Sequence, residues 1–411
     1  MPILQEQAHS VATIKHAMDK VKEVTSFWNA RQTPVMACDQ PLFVLAKQIQ
    51  WEWPEIYGED RFVAMFRGLH IEMAAFKLLG DLLKGTGWVT ALSEADIASL
   101  GTAEFFLTVS NLAKTRQAHQ ITACCLYDLI KKAYQHATDH ANPDDIEISD
   151  IFSWCSEQEK TIPQFQFWTT ILNLELLVLS FVRSYRESDF RLYKESLSSL
   201  IPYFFALDHV NYARWLPIHL RDMLALQRKH PDIYAEFDKG NFTVRKTDSK
   251  FSNIAIDQAH EQNNAIVKGD GGAIGLTEDP AALRRWMVAG PEISRLIDEF
   301  TGICGNVHEK KQKHHEETHA AQKNFYAKVN RILVTISDMG NPFEEESPDL
   351  YSLDTKDVVK SGIADEILKL VDKGRDQYRI FLSRMRDGDN PGFYEPLIKN
   401  KYRLFNPKQK S

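Results

Sequence analysis

At 411 residues the chain is too long for one ordinary hydrophobic core, so two or three packed units are expected. Its 44% apolar and 26% charged residues exclude a disordered polypeptide. A net charge of −7 argues against a chain devoted to gripping DNA, whose phosphates demand Lys and Arg; such a role would need a local basic patch or a further domain.

In chain order, residues 10 to 30 predict a helix with Val11, Ile14, Met18, Val21 and Val24 on one side. The short β-prone run Val35 to Cys38 ends in Asp39, and Pro41 suits the first turn of a helix, LFVLAKQIQWEW, that stops near Pro54. Phe62 to Phe66 is a second apolar strand candidate, followed after Gly68 by an amphipathic helix to Gly85. Runs apolar on successive residues suit strands covered on both faces, and the alternation of helix and strand predicts a small α/β unit with the two strands parallel.

From about residue 90 to 235 helical periodicity takes over, interrupted by the linker-like NPDDIEISD, Asn142 to Asp150. The most apolar stretch, Phe167 to Val182, contains Asn173 and Glu175 and is short of a full span, so a buried core helix is expected and no membrane association. Residues 240 to 292 are polar and rich in Gly, Asn and Gln. A long charged helix over about 293 to 338, a turn at GNPF and a last helix from IADEILKL complete the chain before a basic tail. The expected organisation is therefore a partial α/β unit over 1–88, an all-helical insertion over 89–240, a polar segment over 241–292 that returns to the core, and a helical region over 293–411.

The five cysteines, Cys38, Cys124, Cys125, Cys155 and Cys304, are odd in number and form no C-x-x-C pair. This disfavours a disulfide framework or zinc finger and favours a reducing compartment. The N-terminus MPILQEQAHSVATIKH has no charged start followed by an apolar run, so no secretory signal is expected. An intracellular location, nuclear or cytoplasmic, follows.

The segment His315–Glu316–Glu317–Thr318–His319 matches H-E-x-x-H, whose paired His could hold zinc with Glu316 activating water. Its charged neighbours fit a solvated helix face better than a dry metal site, so no zinc is expected. The glycines of GDGGAIG, residues 269 to 275, lack the preceding strand that a dinucleotide loop requires. Asp39 carries more weight, because carboxylates at strand ends in α/β folds are placed to hold metal ions. His70 and Glu72 follow the second strand, Asp208 lies in FFALDHVNYARW and Glu261 in IDQAHEQNN. Taken singly, each of these also reads as an ordinary cap or surface residue.

The strings CDQPLFVLAKQIQW, GLHIEMAAFKLLGD, NYARWLPIHLRDM, IDQAHEQNNAIVKGDGGAIGLTEDPAALRRWMVAGPE and MGNPFEEES resemble an uncharacterised family of transposon-borne proteins found in many copies in animal genomes. The resemblance spans nearly the whole chain and is most specific from Ile256 to Glu292. The chain departs from it at Arg67, where Gly is usual. By analogy with RNase H-like transposases of the hAT type, the fold implied is mostly α, with an incomplete RNase H-like core interrupted by a large helical insertion. In those enzymes two Asp and one Glu hold two Mg²⁺ or Mn²⁺ ions. Asp39 would take the place of the second acid and Glu261 that of the third, and the first would lie upstream in a longer N-terminal region. Both would then be metal ligands, sharing a cleft, with His70, Glu72, Asp208 and Asp270 as supporting groups or substitutes. The resemblance implies a truncated or domesticated transposase-like protein of a transposable element, inactive by itself in DNA recombination. DNA, through a local or missing basic surface, and a second copy of the chain are its expected partners. The other reading is a non-catalytic helical interaction module that keeps the sequence for its fold.

Overall fold

The strands that organise the smaller part of the fold are Val35–Cys38 (β1) and Val63–Phe66 (β2), parallel and in register, with Val35 opposite Val63 and Cys38 opposite Phe66. They belong to a computed structural model that describes residues 10–138, 148–248, 250–267, 281, 285, 318–344, 347, 349–358 and 369–386. The chain is mostly helical, with this two-stranded parallel sheet, and divides into two units: residues 1–69 with 241–321, and residues 70–240 with 322–411.

Parallel neighbours need a crossover, and the first unit supplies it as α2 (Gln40–Glu52) and the short α3 (Pro54–Tyr57). Pro41 sits in the first turn of α2, where its missing N–H is no loss. Phe43 of α2 packs on Phe66 of β2 with ring centroids 4.4 Å apart. Buried Gln50 donates its amide to the Phe62 carbonyl at 2.6 Å, tying the crossover to the strand entrance. Lys47, only 1% exposed, is neutralised by Glu59 at 2.6 Å, and Glu59 also accepts from the Trp51 indole at 3.0 Å. Packed on α2 and β1, α1 (Val11–Trp28) starts on Ser10, whose hydroxyl accepts from the Thr13 amide. It buries Ile14 and Met18, and Asp19 accepts from the Tyr57 hydroxyl at 2.5 Å. Residues 241–255 return to this unit through an antiparallel bridge, Val244 to Ile254, that leads into α13 (Ile256–Val267).

The second unit begins within α4 (Gly68–Leu83) and continues through α5 (Trp88–Glu94), α6 (Leu100–Leu107), α7 (Leu112–Ala137), α8 (Ile148–Thr161), α9 (Pro163–Glu187), α10 (Phe190–Ala206), α11 (Val210–Lys229) and α12 (Pro231–Asp238). It ends with α14 (His319–Met339), most of which belongs to it, and α15 (Leu370–Arg386). By length and composition α9 could cross a membrane. It is instead a core helix, burying Phe165, Trp168, Ile171, Val178 and Phe181 and packing against α7, α8 and α10. α10 also packs on α11 and α15. There Gly374 brings α15 so near that a Cβ would stand 2.3 Å from the Pro202 carbonyl oxygen.

The first segment of the first unit runs to Leu69, where the expected unit ran to residue 88. From His70 onward α4 makes its contacts inside the helical unit: Glu72 with Arg116, Phe76 with His119, and Asp81 with His209. The expected 293–338 helix is described only from His319 to Met339. Residues 315–317, Asp270, the rest of the 269–275 glycine loop and Cys304 lie outside the described residues.

Candidate carboxylate site

Asp39 is the N-cap residue of α2, yet its side chain makes no capping hydrogen bond; only its carbonyl accepts, from the Phe43 amide at 2.8 Å. Its Oδ1 is buried and has no hydrogen-bond partner. A carboxylate oxygen removed from water without a donor is costly, so its retention at the C-terminal end of a parallel strand marks a candidate ligand position.

The next strand closes around the same edge. The Arg67 amide donates to the Cys38 carbonyl at 2.9 Å, and Arg67 Nε reaches the Ala37 carbonyl at 3.4 Å. Burial pushes the Cys38 thiol up to about 12, with the Arg67 charge opposing and Asp39 reinforcing the shift. Cys38 is thus a protonated core residue and no nucleophile.

Two residues beyond Arg67, the Leu69 amide donates to Asp257 Oδ1 at 3.0 Å. Asp257 is 1% exposed and stands in the first turn of α13, so it fastens the returning helix to the chain that leaves β2. Sequence reading passed over Asp257. Its signal was slight: an acid placed immediately after the apolar run Ile254–Ala255–Ile256. Glu261 follows one turn later on the same side of α13, about 6 Å further along the axis, and is exposed.

Asp39 and Glu261 therefore belong to the same unit although more than two hundred residues of chain separate them. His70, Glu72 and Asp208 belong to the other unit. Glu72 is buried and engaged by Arg116, whose Nε and Nη2 lie 2.8 and 2.6 Å from its Oε1. The His70 carbonyl accepts from the Tyr212 hydroxyl at 3.2 Å. Asp208 is an exposed turn residue between α10 and α11, with φ of 54°. His319 is exposed at the start of α14. Among the described residues no group of three or more His, Cys, Asp or Glu is placed to hold a metal ion. The hard oxygen donors of Asp39 suit Mg²⁺ or Mn²⁺, and Mg²⁺ is commonly held by one or two carboxylates with water completing its shell.

A family model described as a domain of unknown function, DUF8702, matches residues 147–384, more than half of the chain. The match takes in α8 to α15, including Asp257 and Glu261, and leaves β1, β2 and Asp39 outside it. No curated protein and no solved structure matches the chain.

Proposed function

We propose that this chain, which belongs to the DUF8702 family of unknown function, is a catalytically incomplete, transposase-like protein of a mobile element with a weak divalent-cation site at Asp39. The observation that carries this reading is the partnerless buried Oδ1 of Asp39 at the C-terminal end of β1. Two further features support it. The chain leaves the sheet for a long helical excursion and comes back as α13, as a helical insertion into an RNase H-like core would require. Asp257 pins that helix beside the end of β2, with Glu261 one turn beyond.

In this reading Asp39, in the second acid's place, and Glu261, in the third's, are ligands of Mg²⁺ or Mn²⁺, while Asp257 is a positioning residue. A bound ion would stabilise charge on phosphate oxygens during strand transfer. Neither Glu72 nor Asp208 takes part. Titration with Mn²⁺, followed by the loss of its free electron-paramagnetic-resonance signal, tests the proposal. We expect weak binding that Asp39→Asn abolishes and Glu261→Gln weakens, and no cleavage of supercoiled plasmid by the chain alone. Binding that survives Asp39→Asn would remove the site and favour the second reading, a helical interaction module. That reading draws on the size of the helical unit and on the family match, which lies largely within it.

A further inference from the structure

Deep in the helical unit lies an acid–base pair with no part in the carboxylate site. His119 of α7 and Glu175 of α9 have no solvent exposure, and His119 Nδ1 lies 3.0 Å from Glu175 Oε1. The imidazole is stacked between Phe76 of α4, at 5.0 Å between centroids, and Trp88 of α5, at 5.1 Å. Trp88 is held in turn by its indole N–H, which donates to Thr122 Oγ1 at 2.9 Å. His119 Nε2 and Glu175 Oε2 are both buried without a partner, as is Thr115 Oγ1 one turn before His119.

Among the described residues burial alone, and no neighbouring cation, shifts the two groups of this pair. From α4 comes Glu72, already bound to Arg116 of α7 as an ion pair with no net charge. Further along α7 lie Cys124, Cys125, Asp128 and Lys132; a Glu175 charge would raise both thiols, and Lys132 opposes that at Cys125. α5 presents Trp88, its one carboxylate, Glu94, being exposed, and the next ionisable residue of α9 after Glu175 is Arg183. Burial drives the His119 imidazole down to about 3 and the Glu175 carboxyl well above its usual range. A net charge of either sign between two aromatic faces is strongly disfavoured, and one proton divided between the two groups is the state without it.

We propose that His119 and Glu175 share a single proton through the neutral pH range and act as a titratable lock on the junction of α4, α5, α7 and α9. Closed, the pair holds one proton and no net charge. Opened to water above about pH 6.5, it becomes a carboxylate and a neutral imidazole and gives that proton to solvent. Glu175, raised when folded, contributes stability that is lost as pH rises toward its folded value. His119, lowered when folded, contributes stability that is lost as pH falls below about 6.5. Between about pH 4.5 and 6.5 the opened pair also holds one proton, and the two dependences cancel. Above that window this pair makes opening about tenfold more favourable per pH unit.

Denaturant unfolding of the full chain from pH 6.5 to 9, compared with Glu175→Gln, tests the lock. The amide has no proton to release, so its stability should fall less steeply with pH, by one proton per molecule. Equal slopes would overturn the proposal. Because the variant could fail to fold, nitrogen-15 NMR of the His119 ring in the unaltered chain provides a second reading. Resonances invariant from pH 5 to 8 support a retained proton, and a titration near 6.5 refutes it.

Discussion

At the residue scale, buried polar groups in this chain fall into satisfied pairs and groups held at a cost. Asp39 is of the second kind: its oxygen is out of water with no donor. Asp39→Asn should leave thermal stability unchanged or raise it by up to about 2 kcal/mol, since it removes the charge from a half-buried carboxylate with one buried, partnerless oxygen. A clear loss of stability on differential scanning calorimetry would show that Asp39 has a structural partner and is no ligand held in reserve. Asp257 behaves oppositely, because it satisfies the buried Leu69 amide. Asp257→Ala should cost about 1–3 kcal/mol in urea titration by orphaning that N–H, whereas Asp257→Asn, which keeps an acceptor, should cost less. For the Glu72–Arg116 pair, 8% and 12% exposed, Arg116→Met should cost about 3–5 kcal/mol by taking the guanidinium from a buried carboxylate. The double variant with Glu72→Gln should recover much of this, and its failure to do so would mean that Arg116 stabilises through packing alone.

At the scale of elements, local sequence was a good guide wherever periodicity and punctuation agreed. β1 occupies Val35 to Cys38 as expected, and β2 starts one residue inside Phe62 to Phe66. Pro41 and Pro163 stand in first turns, and the apolar run at Phe167 became the core of α9 because other helices cover it. Close approach of helices was not legible in this way. Gly374 reads as a weak point in α15, yet it is where α15 meets the Pro202 carbonyl of α10. Gly374→Ala would raise the propensity of an isolated helix by about 1 kcal/mol, but forces a Cβ into that carbonyl and should destabilise the protein by about 1–3 kcal/mol. A higher melting temperature for this variant would show that the α10–α15 contact is looser than described.

At the scale of the whole molecule, net charge bears on the partner. With −7 overall and some of its surface cations paired with carboxylates, as in Arg183–Glu187 and Arg191–Glu195, the chain should bind non-specific duplex DNA more weakly than about 1 µM at physiological salt. Fluorescence anisotropy showing tighter binding with a steep salt dependence would contradict this. What the sequence by itself determined is the helical character, the two parallel strands and the candidacy of Asp39, because each rests on patterns spanning a few consecutive residues, whereas Glu261 took on its role only through the family resemblance. What only the tertiary structure decided is where the chain leaves and rejoins the first unit, that Asp257 fastens α13, that Arg116 claims Glu72, and that His119 meets Glu175. These are contacts between residues tens to hundreds of positions apart, selected by burial and by the need to pair what is buried, and neither leaves a periodic trace along the chain.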